Sequence, residues 1–187
     1  MYAQLSATKK WAVQNPVQTF LLQTLIGANV IALLAQLAIP LPFVSITGQS
    51  LGVTVIGFAL GRKAGTAAVL LYLLEGAMGF PVFANGKAGL AVLMGPSGGY
   101  LFGFVAMAWI LGYFSDKGVL RSLGKSIAVA VLANAVMYAL GLAQLSLFVP
   151  ADKVLAVGLY PFIIGDLIKA CIAAAAVAPA YRFFQKL

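Results

Sequence analysis

Residues 11–61 read WAVQNPVQTFLLQTLIGANVIALLAQLAIPLPFVSITGQSLGVTVIGFALG, and no charged side chain occurs between Lys10 and Arg62. A bilayer core of about 30 Å needs roughly 20 apolar helical residues per crossing, so this stretch has room for two. Its Pro40-Leu41-Pro42 turn divides them, because proline withdraws backbone donors and ends a helix.

The rest of the chain follows suit. Of 187 residues, 63% are apolar and 9% charged, and the mean hydropathy is +1.02. A soluble domain usually carries about 25% charged residues. The expected fold class is an all-α integral membrane protein: a bundle of about six transmembrane helices joined by short connections. One polytopic domain spans 1–187, with crossings at about 20–39, 48–60, 64–78, 90–114, 126–149 and 161–178. The expected breaks are Gly61-Arg62-Lys63, Gly79-Phe80-Pro81, the glycine-rich Asn85-to-Gly89 loop and Pro150, with Gly95-to-Gly99 interrupting the fourth span. Pro161 falls in the first turn of the last helix, where it is tolerated. No cleavable signal is expected at the N-terminus, whose long apolar stretch is followed by several others.

The net charge of +8 does not indicate a nucleic-acid partner, because the basic residues punctuate apolar segments instead of forming one patch. They fit a membrane topology. With both termini inside, the inner side holds Lys9, Lys10, Arg62, Lys63, Lys117, Arg121, Lys125, Arg182 and Lys186, against Lys87 and Lys153 outside. That is the bias of the positive-inside rule, and an odd number of crossings would break it.

Small residues recur at helix-facing intervals: Ala28 and Ala32, Gly57/Gly61/Gly65, and Gly95/Gly99/Gly103. Such stripes let helix backbones approach closely. They serve either internal packing or, for Ala28 and Ala32, docking of another membrane subunit.

Charges inside apolar spans are the most informative residues. Asp166 and Lys169 are three apart on the last span and so share a helix face. Each costs about 2.5–3.5 kcal/mol at the centre of an isolated spanning helix. They form either a mutually satisfied lock or a polar binding spot in an apolar cavity, in the outer half of the membrane. Glu75 lies near the same outer end, either lining that cavity or reaching to the interface. Asn85, Thr47 and Gln49 add uncharged polarity there. Phe43, Phe80, Phe83, Tyr100, Phe102, Tyr160 and Phe162 form an interfacial belt or a pocket wall, with Phe83 and Tyr100 the candidates for the wall.

Catalytic patterns fail on inspection. Gly-x-Ser-x-Gly occurs at Gly48–Gly52 and Gly95–Gly99, but no soluble-type strand precedes either and the chain has no histidine to serve as base. Gly124-Lys125-Ser126 has Val119 where a phosphate-binding loop needs glycine. The single cysteine, Cys171, is a packing residue, and the few scattered carboxylates do not make a metal site. The expectation is no enzyme, no metal and no cofactor, with any uphill transport energised by a partner or an ion gradient.

The run Gly79-Phe80-Pro81-Val82-Phe83-Ala84-Asn85-Gly86, then Gly95-Pro96-Ser97-Gly98-Gly99-Tyr100-Leu101 with Gly103-Phe104, then Pro161-to-Asp166 with Lys169, resembles the BioY family. Pro42 with Thr47-Gly48-Gln49 is a weaker match. BioY proteins are the biotin-specific substrate-binding components of energy-coupling-factor (ECF) vitamin transporters. The resemblance implies a six-helix protein of the cell membrane that captures biotin from outside. It implies ureido-ring contacts from Asp166 and Asn85, and a ligand oxygen held by Lys169. That oxygen is either the ureido oxygen or the carboxylate. The implied partners are a transmembrane coupling protein and two cytoplasmic ATPases, with Ala28 and Ala32 as the docking motif. The alternatives are a binding component for another vitamin, an intramembrane enzyme using Asp166 and Lys169, or a structural subunit of a membrane complex.

Overall fold

The computed structural model describes residues 13–185, without the side chains of residues 180 and 182–185. Lys9, Lys10 and Lys186 therefore lie outside the described residues, as does the side chain of Arg182.

Helix α1 (Pro16–Ala35) begins on a proline, where the missing donor costs nothing. Its buried residues, Thr24, Gly27, Ala28, Ile31 and Ala35, make one stripe. The remainder of α1 presents Leu21, Leu25, Ile26 and Leu33, all exposed, to the lipid. Where α1 ends, Ala38–Ile39 (β1) and Ile46–Thr47 (β2) pair antiparallel, Ala38 opposite Thr47 and Ile39 opposite Ile46. The expected first crossing, 20–39, thus begins and ends about a turn earlier, and the Pro40-Pro42 segment becomes the tip of a small hairpin.

Helix α2 (Gln49–Ala77) is broken at Gly61, whose φ of 73° and ψ of −176° are not helical. Residues eight apart in a straight helix lie about 12 Å apart. Here a Cβ on Gly65 would sit 3.2 Å from the Gly57 Cα, so the two arms fold back on each other at Gly61. Gly27 of α1 packs where both arms meet, its Cβ position 2.7 Å from Ala68 Cβ and 3.2 Å from Ile56 Cγ2. The small-residue stripes are consumed in this packing. Ala28 is fully buried and Ala32 packs partly buried against the core. A wholly enclosed side chain cannot meet a partner subunit, which corrects the docking role expected of Ala28.

A loop holding the 3-10 turn Ala84–Gly86 leads to α3 (Leu90–Met94) and α4 (Gly98–Asp116). The expected fourth crossing is therefore a short helix and a long one, divided at Gly95–Ser97. Gln144 closes the division by donating to Leu93 O (2.9 Å) and Gly95 O (2.8 Å), carbonyls that a helix end leaves without partners. After the 3-10 turn Val119–Arg121 come α5 (Leu123–Leu145), α6 (Val154–Gly158) and α7 (Tyr160–Gln185), with Pro161 second in α7. Gly103 brings α4 against the α5 backbone, its Cβ position 2.9 Å from the Met137 Cα.

Among the described residues, α1, α2, α4, α5 and the stretch Val154–Pro179 are long and apolar enough to cross a membrane. Lipid tails offer helices no hydrophobic driving force, so cohesion rests on close backbone packing and internal hydrogen bonds. The glycine contacts supply the first and the site described next supplies much of the second.

Candidate functional site

One end of the bundle encloses a cavity with about 710 Å³ of empty space, its open mouth included. The β1–β2 hairpin, the first turn of α2, the Phe83–Lys87 loop, α3, the start of α4, the middle of α5 and α7 all contribute to it.

Its polar floor is built on α7. Asp166 is buried, and its Oδ1 accepts from Ser50 Oγ (2.7 Å) and Lys169 Nζ (2.9 Å). The other carboxylate oxygen accepts from the Tyr138 hydroxyl of α5. Lys169 also donates to Thr47 O (2.7 Å) and Ser50 Oγ (3.2 Å), so all three ammonium protons are placed. An ionised carboxylate has about four acceptor positions, and three are filled here. Asp166 retains one, beside hydroxyls able to re-aim. The pair both locks α7 to the start of α2 and lines the cavity, with the Lys169 side chain 20% exposed.

Thr47 and Gln49 set the geometry at the head of α2. Thr47 Oγ1 accepts from the Gln49 N–H (3.2 Å) and donates to Gln49 Oε1 (2.9 Å), while Gln49 Nε2 donates to the Tyr72 hydroxyl. A helix start leaves backbone N–H groups unpartnered, and the Thr47 hydroxyl satisfies one of them. Both residues line the cavity.

The walls are aromatic and aliphatic: Phe83, Tyr100, Phe104, Met137 and Phe162. Phe83 is buried edge-on to Tyr72, ring centroids 5.5 Å apart, and its ring fills the space that a Cβ on Gly76 would need. Tyr100 lies on Gly141, meets Tyr138 edge-on at 6.3 Å, and donates to Gly158 O (2.8 Å). Phe83 and Tyr100 are thus wall residues held in one orientation.

Two expected site residues stand elsewhere. Asn85 is exposed in a left-handed conformation (φ 59°), and its Nδ2 donates to Ser45 Oγ (3.2 Å) across the mouth, clasping loop to hairpin. It does not line the cavity, although Ala84 and Lys87 beside it do. Glu75 is half-buried and outside the lining. Tyr72 and Gly76 turn inward against Phe83 at that level and occupy the face Glu75 would have needed.

Ser50, Tyr138, Lys87 and Gln36 belong to the site or its frame and were not foreseen. Gln36 accepts from the Gly86 N–H (3.0 Å) and donates to Val82 O and Phe83 O (both 3.3 Å), tying the loop to the end of α1. A tyrosine in mid-span, away from either interface, was the available signal for Tyr138.

The sequence model of the BioY family matches residues 7–186. The chain belongs to the BioY family. It is 44% identical over 141 residues to the biotin transporter BioY of Thermotoga maritima, covering 75% of this chain and 82% of that one. It is 35% identical over 147 residues to the biotin transporter BioY2 of Lactococcus lactis, covering 78% and 80%. Its fold is similar to the crystal structure of the S-component for biotin from an ECF-type ABC transporter. The TM-score there is 0.80 and the identity 30%, covering 90% of this chain and 93% of that one. This BioY-family chain is a multi-pass membrane protein whose neighbours are transporter components, not enzymes.

Proposed function

We propose that this chain captures biotin from the outer side of the cell membrane for uptake, in the cavity floored by Asp166 and Lys169. The observation that carries the reading is the Asp166–Lys169–Ser50–Tyr138 cluster exposed to an apolar cavity. A cyclic urea presents two N–H donors and one carbonyl. The free acceptor position on Asp166 suits a ureido N–H, while Ser50 and Tyr138 can turn a hydroxyl to the ring. The bicyclic ring then stacks among Phe83, Tyr100 and Phe162.

Lys169 already has three oxygen partners, so it answers the ureido end and does not reach the tail. Lys87, exposed at the mouth and lining the cavity, has no side-chain partner among the described residues. It is the group for the valerate carboxylate. Asn85 acts through Ser45 to hold the mouth.

The two arms of α2 cross as separate spans, giving six crossings with both termini inside and the cavity facing out. Arg62, Lys63, Lys117, Arg121 and Lys125 then lie on the inner side. The chain works with a transmembrane coupling protein and two cytoplasmic ATPases, which fits its lack of a phosphate-binding loop. With Ala28 enclosed, docking falls to the exposed face of α1. A panel of biotin, riboflavin and thiamine binding to the purified protein tests the assignment. Saturable binding of biotin alone is expected; preference for another vitamin would refute it.

A further inference from the structure

At the end of the bundle opposite the biotin cavity, a second groove runs along the outside between α1, the second arm of α2 and α4. Arg62, Lys63, Thr66, Leu70, Phe20 and Trp109 line it, around about 650 Å³ of empty space open to the side. Arg62 and Lys63 supply its cations, and Leu70, Phe20 and Trp109, which are 52%, 38% and 46% exposed, supply an apolar wall, with Trp109 beside Arg62.

Neither cation forms an ion pair among the described residues, where Lys169–Asp166 is the one salt bridge. Asp116, the nearby carboxylate, is engaged by the backbone: its Oδ2 accepts from the Arg62 N–H (3.2 Å). The Arg62 guanidinium is instead held over aromatic rings, 5.9 Å from the Trp109 centroid and 6.0 Å from that of Tyr113. These two rings stack parallel at 5.3 Å, and Lys117 Nζ lies 4.2 Å over Tyr113. An arginine packed on rings keeps its outer N–H fork free for a planar or tetrahedral anion. Thr66 also lines the groove, and its hydroxyl oxygen is buried without a hydrogen-bond partner among the described residues.

We infer that this groove is a binding site for an anionic phospholipid. Its phosphate lies between Arg62 and Lys63, its glycerol ester region passes Thr66, and an acyl chain lies along Leu70, Phe20 and Trp109. Along the second arm of α2 the order is cationic at Arg62 and Lys63, polar at Thr66 and apolar at Leu70, that of such a lipid from headgroup to tail. Basic pockets between transmembrane helices on the cytoplasmic side select anionic headgroups. Under the proposed orientation the lipid belongs to the inner leaflet. The site itself rests on geometry that is independent of the biotin reading.

Native mass spectrometry tests it on the full chain, in detergent with phosphatidylglycerol or phosphatidylcholine of matched acyl chains. The expected result is one phosphatidylglycerol retained in preference to phosphatidylcholine, with retention falling about fivefold for each of Arg62→Gln and Lys63→Gln. Lys125→Gln, which removes a charge at the same end outside the groove, should leave retention unchanged. A thermal unfolding midpoint close to wild type shows that the variants are folded. Equal retention of the two lipids overturns the inference, as does an equal loss in Lys125→Gln, since either means diffuse attraction. A photo-crosslinker at Leu70 that yields a protein adduct in cells, and no lipid adduct, also overturns it.

Discussion

Three oxygens surround the Lys169 ammonium and three donors surround the Asp166 carboxylate, and the proposed placing of the ligand's two ends rests on this asymmetry of vacancy. The ammonium is complete, whereas the carboxylate keeps an acceptor position. The second cation lining the cavity, Lys87, is exposed at its mouth, where its attraction for an anion is screened and worth about 1 kcal/mol. Lys87→Gln should therefore weaken biotin binding by about fivefold and leave the binding of biotin methyl ester, which has no tail charge, unchanged. A titration of both ligands against both proteins decides this. Equal losses for acid and ester would mean that Lys87 shapes the mouth without meeting the carboxylate. Ser50 shows why such residues were hard to read from the sequence. It lies inside Gly48-x-Ser-x-Gly, a pattern that fails as a nucleophile motif, and its real partners, Asp166 and Lys169, are more than a hundred positions away. Asp166 and Lys169 were legible because a charge in an apolar span demands an explanation. A serine there does not.

At the scale of elements, the decisive feature is the Gly61 break in α2. Its φ of 73° is one that L side chains rarely adopt, and a Cβ there would run into the Asp116 carboxylate. The sequence marked this break through Gly61-Arg62-Lys63, a charge cluster between two apolar runs. It also marked the Gly95–Gly99 interruption and Pro161. What it concealed was how short segments are used. The start of α4 is separated from α3, and residues 36–47 form a hairpin instead of extending a crossing. Periodicity identifies a helix but not the tertiary contacts, such as Gln144 on the α3 carbonyls, that stop one. If the arms of α2 are separate crossings, their turn faces the inner side. Lys63→Cys, in a Cys171→Ala background, should react with a membrane-impermeant maleimide in inside-out vesicles and resist it in right-side-out vesicles. Labelling from the outside would contradict the six-crossing, termini-inside arrangement.

Across the whole molecule, polarity is sorted to two ends of an otherwise apolar bundle. One end holds the enclosed Asp166 cluster beneath a mouth clasped by Asn85–Ser45 and Gln36. The other end holds Arg62 and Lys117 on aromatic rings, with Lys63 next to Arg62. Packing between them depends on glycines whose close approaches leave no spare surface, which is why Ala28 is used up inside. The class of protein was therefore legible from charge spacing alone, and the cavity's polar floor from its two costly charges, while Glu75 and Asn85 fall outside the lining because nearness in sequence to the outer end does not specify a facing direction.

The Asp166 cluster is proposed to bind biotin and not merely to lock helices together. Isothermal titration of biotin into the purified wild type, Asp166→Asn and the charge-free Asp166→Leu/Lys169→Met variant tests it directly. Removing one member of a buried pair costs about 3–5 kcal/mol, whereas replacing both with apolar residues of similar volume is often neutral for folding. The expected result is binding to the wild type, a loss of about a hundredfold or more in Asp166→Asn, and a double variant that stays folded and monodisperse yet binds no biotin. Wild-type affinity in the folded double variant, or no binding of biotin by the folded wild type, would contradict it.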